Sequence, residues 1–154
     1  MPANLHSRNK KEMPMTDSIL TPALALICWT LVMWMWMYAT RIPAMQKAGI
    51  NPAKLQEKSE MDALPKEVRR IADNYNHLHE QPVIFYALIF YAALAGSAST
   101  VMLYAAWTYV ALRIVHSLIQ ALWNFIPVRF TVFMFSSLTL LFIAAINVGY
   151  LLGS

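Results

Sequence analysis

Residues 111–130 read ALRIVHSLIQALWNFIPVRF, a stretch apolar enough to enter a lipid bilayer that nevertheless carries Arg113, His116, Gln120 and Arg129. An ionised side chain at the centre of a bilayer costs roughly 2.5 to 3.5 kcal/mol on insertion scales, so such residues usually face the interior of a helix bundle. Arg113, His116 and Gln120 stand at i, i+3 and i+7 and therefore share one face of a helix. The stretch predicts a membrane helix whose polar face turns toward other helices.

The composition of the whole chain also indicates a membrane protein. Hydrophobic residues make up 58% of the 154 residues and charged residues only 13%, which is far from an ordinary soluble domain. The single cysteine, Cys28, leaves no disulfide framework and no thiolate metal site to build. The net charge is +4, and the 12 lysine and arginine residues are spread over a tail, a loop and two helices. They form no basic motif interleaved with aromatic residues. We therefore predict no nucleic-acid partner and interpret the positive charge as setting membrane topology.

Four apolar stretches approach the roughly 20 residues that a spanning helix requires. We predict spans at about 19–40, 78–98, 100–126 and 128–152. They follow a polar tail, residues 1–17, so that residues 18–154 form one transmembrane domain. The predicted fold class is all-α, an integral membrane four-helix bundle.

Prolines and small residues predict how these spans are joined. Pro65 is suited to open the second helix, because the missing N–H of proline costs nothing in a first turn. Pro82 predicts a kink further along that helix. The short GSAS sequence at residues 96–99 predicts a tight helical hairpin between the second and third spans.

Lysine and arginine near the span ends predict the orientation in the membrane. The N-terminal tail holds three of them, whereas the loop after the first span holds seven: Arg41, Lys47, Lys54, Lys58, Lys66, Arg69 and Arg70. We therefore predict that the loop at residues 41–76 is cytoplasmic and that both termini lie outside. Short, plain loops without disulfides favour a bacterial inner membrane as the location.

Polar side chains of all four predicted spans gather at one leaflet. Arg41 ends the first span and Arg129 opens the fourth, just after Pro127. Helical spacing collects further polar residues on one side of the second helix: Asp73, Asn76, His77 and Glu80. Together with the polar face of the third helix, these residues predict a cationic, hydrogen-bonding pocket open to the cytoplasm.

The depth of the charged residues predicts an ion pair. At about 1.5 Å per residue, Glu80 and Arg113 each lie roughly 20 Å from the cytoplasmic ends of their helices. A buried arginine needs a partner, and Glu80 is the acidic residue at the same level. We therefore predict that Glu80 is the internal counter-charge of Arg113. The pair is also consistent with a purely structural role, in which it fixes the register of the helices. Arg41 and Arg129, at helix ends, are also consistent with side chains that snorkel to the interface and only set the topology.

The histidines do not predict a metal site. His77 and His79 are two residues apart and point to different faces of a helix. No more than two of the three nearby histidines, His77, His79 and His116, converge easily. We therefore predict no metal site.

Two motifs in this chain are similar to those of the MAPEG family, the membrane-associated proteins in eicosanoid and glutathione metabolism. The first is NHLHEQPVIFYAL at residues 76–88, which contains Glu80 and Pro82. The second is the opening stretch, in which Arg-x-x-His at Arg113 is followed by Pro-x-Arg ending at Arg129. Their order and spacing along residues 38–152 resemble the family pattern.

The resemblance implies a homotrimer in which each site lies between neighbouring subunits and binds glutathione, as co-substrate, from the cytoplasmic side. It implies that Arg129 is the catalytic residue that stabilises the glutathione thiolate and that Arg41 reaches the tripeptide from a neighbouring subunit. Further residues would hold the tripeptide or brace its pocket: Asn76, His77, Glu80, Arg113, His116 and Gln120. The activity implied is that of a transferase or peroxidase acting on lipophilic substrates that arrive through membrane lipid.

The chain also departs from the family pattern. Asp73 and Asn76 stand where well-studied members have an arginine, and Gln120 stands at the position of a tyrosine. Phe130 replaces the serine of the prostaglandin synthases, which speaks against a prostaglandin isomerase. A non-catalytic membrane scaffold of the same fold that binds a lipid or metabolite therefore remains the alternative prediction.

Overall fold

A computed structural model describes residues 18–54 and 58–153, and every regular element within them is helical. Short 3₁₀ helices occupy Pro52–Lys54 and Lys58–Ala63 in the loop after the first span. The α-helices are α1 (Leu20–Lys47), α2 (Lys66–His77), α3 (Gln81–Ala95), α4 (Thr100–Leu122) and α5 (Ile126–Gly153). The predicted polar tail, residues 1–17, lies outside the described residues.

Four units of the fold are long and apolar enough to cross a membrane. They are α1, the combined α2 and α3, α4 and α5. The prediction of an all-α protein with four membrane spans is therefore confirmed, and the chain is a multi-pass membrane protein. The first span is longer than predicted because α1 continues through Pro43 to Lys47.

The second span is broken between α2 and α3. Helix α2 ends at His77, and α3 starts at Gln81 after a non-helical Glu80 with φ −94° and ψ −97°. We predicted a kink at Pro82, but the chain breaks one turn earlier. A proline ring collides with the carbonyl group four residues before it, which here belongs to Leu78, so the helix stops and restarts with Pro82 in the first turn.

The core of the bundle is formed by α1, α3, α4 and α5. Its centre is a stack of Phe85 on Tyr109, with 4.4 Å between the ring centroids. Fully buried apolar side chains surround this stack, among them Leu26, Ile89, Ala92, Met102, Ala106 and Ile143. Lipid tails are as apolar as these side chains, so close packing rather than exclusion from water holds the helices together.

The connection between α3 and α4 is short, as the GSAS sequence predicts. Gly96 ends α3 in the left-handed conformation, with φ 75°, which glycine adopts without strain. Ser99 then begins α4, and its Oγ accepts a hydrogen bond from the backbone N–H of Met102 at 3.2 Å. The two residues stop one helix and start the next within a few positions.

Replacing Ser99 with alanine is expected to lower the free energy of unfolding by about 1 kcal/mol, because the N–H of Met102 loses its capping acceptor. Unfolding of the detergent-solubilised protein, followed by circular dichroism, measures the change. Thr108→Ala is the matched control, since the Thr108 hydroxyl is exposed and donates only to the carbonyl oxygen of Tyr104 in its own helix. Equal effects of the two substitutions would show that Ser99 is not a cap.

Candidate functional site

Arg113 lies at the centre of the bundle with 1% of its surface exposed. Its Nε donates to the hydroxyl of Tyr109 at 3.0 Å, and its Nη2 donates to Oε1 of Gln81. The guanidinium also lies over the rings of Tyr109 and Phe133, with Cζ 5.4 Å and 5.1 Å from the ring centroids. Arg113 is therefore a buried cation that is held by neutral groups and by aromatic faces.

The predicted ion pair between Glu80 and Arg113 is wrong. Glu80 is exposed, and its Oε2 lies 2.7 Å from Nδ1 of His77. The break after α2 is the cause, because it turns Glu80 outward and places Gln81, the first residue of α3, next to Arg113. Gln81 in turn donates through Nε2 to Oγ of Ser137 at 2.8 Å, which connects α4 to α5 through α3.

Four of the predicted site residues line one cavity of about 210 Å³. It opens between α2, α4 and α5 near the start of α5, and we call it the His77–Arg129 cavity. Its polar lining consists of His77, His116, Gln120 and Arg129, and its apolar lining consists of Ile126, Phe130 and Phe133. Among the described residues, no carboxylate lines the cavity. Its lining combines a guanidinium, two imidazoles and an amide. These groups are suited to bind an anion, or a neutral acid that becomes an anion when it loses its proton.

Arg129 is held in this cavity by the turn between α4 and α5. Its Nη1 donates to Oδ1 of Asn124 at 2.7 Å, and Asn124 adopts a left-handed backbone with φ 52°. Asparagine tolerates this conformation better than most residues do. The backbone carbonyl of Arg129 accepts from Nδ1 of His116 at 3.2 Å, and Nε2 of His116 lies 3.2 Å from Oε1 of Gln120. The turn thus fixes the guanidinium, while His116 ties α4 to the first turn of α5.

His77 enters the cavity from the end of α2. Its ring lies 5.1 Å from the His116 ring and 5.4 Å from the Phe133 ring, measured between centroids. Glu80 holds Nδ1 of His77 from the outer side, so Nε2 is the ring nitrogen that has no hydrogen-bond partner within the described part of the chain. His77 and Glu80 form a dyad of the kind that orients an imidazole for proton transfer.

The two remaining predicted residues, Arg41 and Asn76, do not reach this cavity within one chain. They line a second cavity of about 360 Å³ between α1, α2 and the 3₁₀ helix at Lys58–Ala63, together with Asp73. We call it the Arg41–Asp73 cavity. The predicted contact of Arg41 with a tripeptide across a subunit boundary stays a prediction.

Sequence reasoning missed several residues that position the site. Asn74 is fully buried in α2 and donates through Nδ2 to Oγ of Ser117 in α4. Gln81 and Asn124, which hold Arg113 and Arg129, were not singled out either. These residues could have been found from their place in the sequence, because each lies in or next to an apolar stretch. A buried asparagine or glutamine in such a stretch requires a hydrogen-bond partner.

The fold and the cavity define a class: a helical membrane protein with four spans and a cationic, histidine-containing cavity at one end of the bundle. A family model described as the MAPEG family matches residues 19–149. The chain belongs to the MAPEG family. No curated protein and no solved structure matches it. The family includes glutathione transferases and peroxidases as well as other members.

Proposed function

We propose that the protein is a glutathione-dependent membrane transferase or peroxidase that acts on hydrophobic electrophiles. One observation carries the proposal: Arg129, His77, His116 and Gln120 from three helices converge on a single cavity next to the apolar side chains of α5. A cation beside proton-accepting imidazoles can form and stabilise a thiolate, and the thiolate is the reactive form of a thiol.

The proposed contribution of Arg129 is a larger share of thiolate at neutral pH. A free thiol with a pKa of about 8.5 is only about 3% thiolate at pH 7, and a cation at about 4 to 6 Å lowers the pKa by one or two units. The thiolate share then rises to roughly a quarter or three-quarters. In a region of low dielectric constant, where lipid excludes water, the guanidinium acts more strongly than it would in water.

In the proposed reaction, His77 is the proton acceptor for the thiol. The S–H bond breaks, the proton moves to Nε2 of His77, and sulfur keeps the electron pair beside Arg129. The Glu80 carboxylate, 2.7 Å from Nδ1, stabilises the imidazolium that results. The thiolate then attacks the electrophilic carbon of the substrate, and the leaving group departs with its bonding pair. With a hydroperoxide, two thiols are oxidised to a disulfide while the hydroperoxide is reduced to an alcohol and water.

The size of the cavity supports a site shared between subunits. Ordinary ligand sites occupy roughly 300 to 1,000 Å³, whereas the His77–Arg129 cavity measures about 210 Å³ and holds only part of a tripeptide. We propose a homotrimer in which a neighbouring subunit supplies the remaining contacts, with Arg41 among them. Phe130 at the cavity mouth is 59% exposed and offers an apolar approach for a substrate dissolved in the membrane.

The proposed orientation follows from the distribution of positive charge. Residues 41–76, which include the end of α1 and most of α2, carry seven lysine and arginine residues, and we infer that this segment faces the cytoplasm with both termini outside. The His77–Arg129 cavity lies at the same end of the bundle, so soluble glutathione reaches it from the cytoplasm. A bacterial inner membrane is the proposed location.

Replacing His77 with glutamine is expected to raise the pH midpoint of thiolate formation by about one unit and to lower turnover at pH 7 by at least about tenfold, because the proton acceptor is lost. Ultraviolet absorbance of bound glutathione against pH gives the midpoint. His79→Gln is the matched control, since His79 is exposed and its Nδ1 contacts only the backbone carbonyl of Tyr75. Equal midpoints for both variants would remove His77 from the mechanism.

The function itself is tested with the purified, intact protein, glutathione, and either an aryl halide electrophile or a lipid hydroperoxide. Thiolate absorbance and turnover are expected in the wild type. The second candidate function, a non-catalytic scaffold that binds a lipid or metabolite, is favoured by the small volume of the cavity. Wild-type protein that shows no thiolate and no turnover, but co-purifies with a defined small molecule, would establish the scaffold in place of the enzyme.

A further inference from the structure

Helix α2 is not fixed by a continuous connection to α3, because the chain breaks between His77 and Gln81. Its 12 residues contact α1 and α4 instead. Ile71 and Ala72 are buried in α2 and supply apolar packing, which has no preferred direction. The placement of His77, at the end of α2, therefore depends on how α2 is held against its neighbours.

Asn74 joins the last turn of α2 to α4. Its side chain is fully buried, and its Nδ2 donates a hydrogen bond to Oγ of Ser117, which is fully buried as well. Asn74 precedes His77 by three residues, and Ser117 directly follows His116. The ring centroids of these two histidines are 5.1 Å apart. The hydrogen bond and the ring pair therefore connect the same two segments of α2 and α4.

Stability alone does not explain why Asn74 is an asparagine. Its Oδ1 is buried and has no hydrogen-bond partner among the described residues, and such an atom destabilises a folded protein. Asparagine also favours a helix less than alanine does. Apolar replacements for both partners of a buried hydrogen bond can be neutral or stabilising. Residues that break local rules in this way are expected where function requires them.

We propose that Asn74 is a positioning residue for His77. A buried polar contact between helices can fix their register, which apolar packing leaves less well defined. Through Ser117, Asn74 sets the rotation of the last turn of α2 and holds the ring of His77 against that of His116. Successive residues differ by about 100° around a helix, so a modest rotation of α2 withdraws His77 from the His77–Arg129 cavity. The effect on catalysis rests on the proposed function, whereas the placement of His77 does not.

The reactivity of His77 toward diethyl pyrocarbonate, which acylates accessible imidazole nitrogens, tests its placement in the intact protein without glutathione. Tandem mass spectrometry gives the rate for each histidine. The His77 side chain is 25% exposed, so its release from the cavity by Asn74→Ala is expected to raise its rate by about two- to fourfold, in proportion to the exposed area. His79 is already exposed and is the internal reference, since its rate is expected to stay unchanged.

A second buried asparagine provides the matched control. Oδ1 of Asn147 accepts a hydrogen bond from Oγ of Ser97 at 2.7 Å, and both side chains are buried. This pair joins α5 to the α3–α4 connection, at the opposite end of the bundle from the cavity. Asn147→Ala therefore removes a similar contact and is expected to leave the His77 rate at its wild-type value. Ser117→Ala removes the acceptor of Asn74 and is expected to reproduce the effect of Asn74→Ala.

The pH midpoint of glutathione thiolate formation tests the link to the proposed reaction. Asn74→Ala is expected to raise this midpoint, as His77→Gln does. Combined with His77→Gln, it is expected to raise the midpoint no further, because Asn74 acts through His77. The unfolding midpoint of Asn74→Ala, followed by circular dichroism, is expected to equal or exceed that of the wild type. The unpartnered Oδ1 is then gone, and the hydroxyl of Ser117 can donate within its own helix.

Wild-type reactivity of His77 in folded Asn74→Ala and Ser117→Ala variants would overturn the proposal. An equal rise of His77 reactivity in Asn147→Ala would also overturn it, because the effect would not be local. If neither Asn74→Ala nor Ser117→Ala folds, the hydrogen bond is structural and the proposal fails. A wild type that forms no thiolate, together with raised His77 reactivity in Asn74→Ala, would reject the proposed function and retain the placement of His77 by Asn74.

Discussion

Replacing Arg129 with glutamine is expected to lower glutathione-dependent turnover by about 10²- to 10³-fold, the range seen when one preorganised group that stabilises transition-state charge is removed. Arg129 is the cation that lines the His77–Arg129 cavity among the described residues. Glutamine keeps some hydrogen-bonding capacity but provides no positive charge, so the thiolate loses its electrostatic partner. Steady-state turnover and thiolate absorbance, measured on the same samples, check the expectation.

Two further variants separate charge from position. Arg129→Lys keeps the charge but loses the planar donor group and is expected to retain intermediate activity. Asn124→Ala removes the 2.7 Å hydrogen bond that holds the guanidinium and is expected to lower turnover by about tenfold, with the charge still present. Arg70→Gln, on α2 and outside the cavity, is the matched control. Full turnover in Arg129→Gln would rule out Arg129 as the group that stabilises the thiolate.

Replacing Arg113 with alanine is expected to destabilise the protein by about 3 kcal/mol or more. The substitution leaves a cavity at a position that is 1% exposed, and it removes the donors that satisfy Gln81 and the hydroxyl of Tyr109. It also removes the packing of the guanidinium against Phe133. Large effects of this kind arise where a buried side chain both fills space and satisfies polar partners.

Arg113→Met is expected to recover most of that loss. Methionine fills a similar volume without the cost of burying a charge, which is several kcal/mol per ion even after relaxation. Denaturant unfolding in detergent, followed by circular dichroism, gives the free energies, and Arg70→Met controls for the loss of a positive charge elsewhere. If alanine and methionine destabilise the protein equally, the hydrogen bonds of Arg113, and not its volume, hold the bundle together.

The membrane fold could be predicted from the sequence because it depends on local quantities. Apolar runs of sufficient length predict spanning helices wherever they occur, and the GSAS sequence predicts a short turn from its residues alone. Periodicity placed Arg113, His116 and Gln120 on one face, and all three are buried in α4. The structure adds that the short turn between α4 and α5 brings the backbone carbonyl of Arg129 within 3.2 Å of Nδ1 of His116.

The partners of the polar residues could not be predicted in the same way. The pairing of Glu80 with Arg113 assumed a continuous helix, whereas the chain breaks before Gln81 and places an amide where an acid was expected. A change of one residue rotates a side chain by about 100° around a helix, so a short break reassigns every contact beyond it. Arg41 and Arg129 line different cavities within one chain, and their expected meeting across a subunit boundary stays a prediction.

By itself, the sequence determined the number and approximate extent of the spans, the family, and the polar residues from which the sites are built. The tertiary structure alone decided how those residues divide: His77 contacts Glu80 and lines the same cavity as Arg129, Gln81 holds Arg113, and Arg41 and Asp73 line a separate cavity. The reason is physical. Hydrophobic length and helical period are properties of neighbouring residues, whereas pairing depends on where separate helices break, rotate and pack.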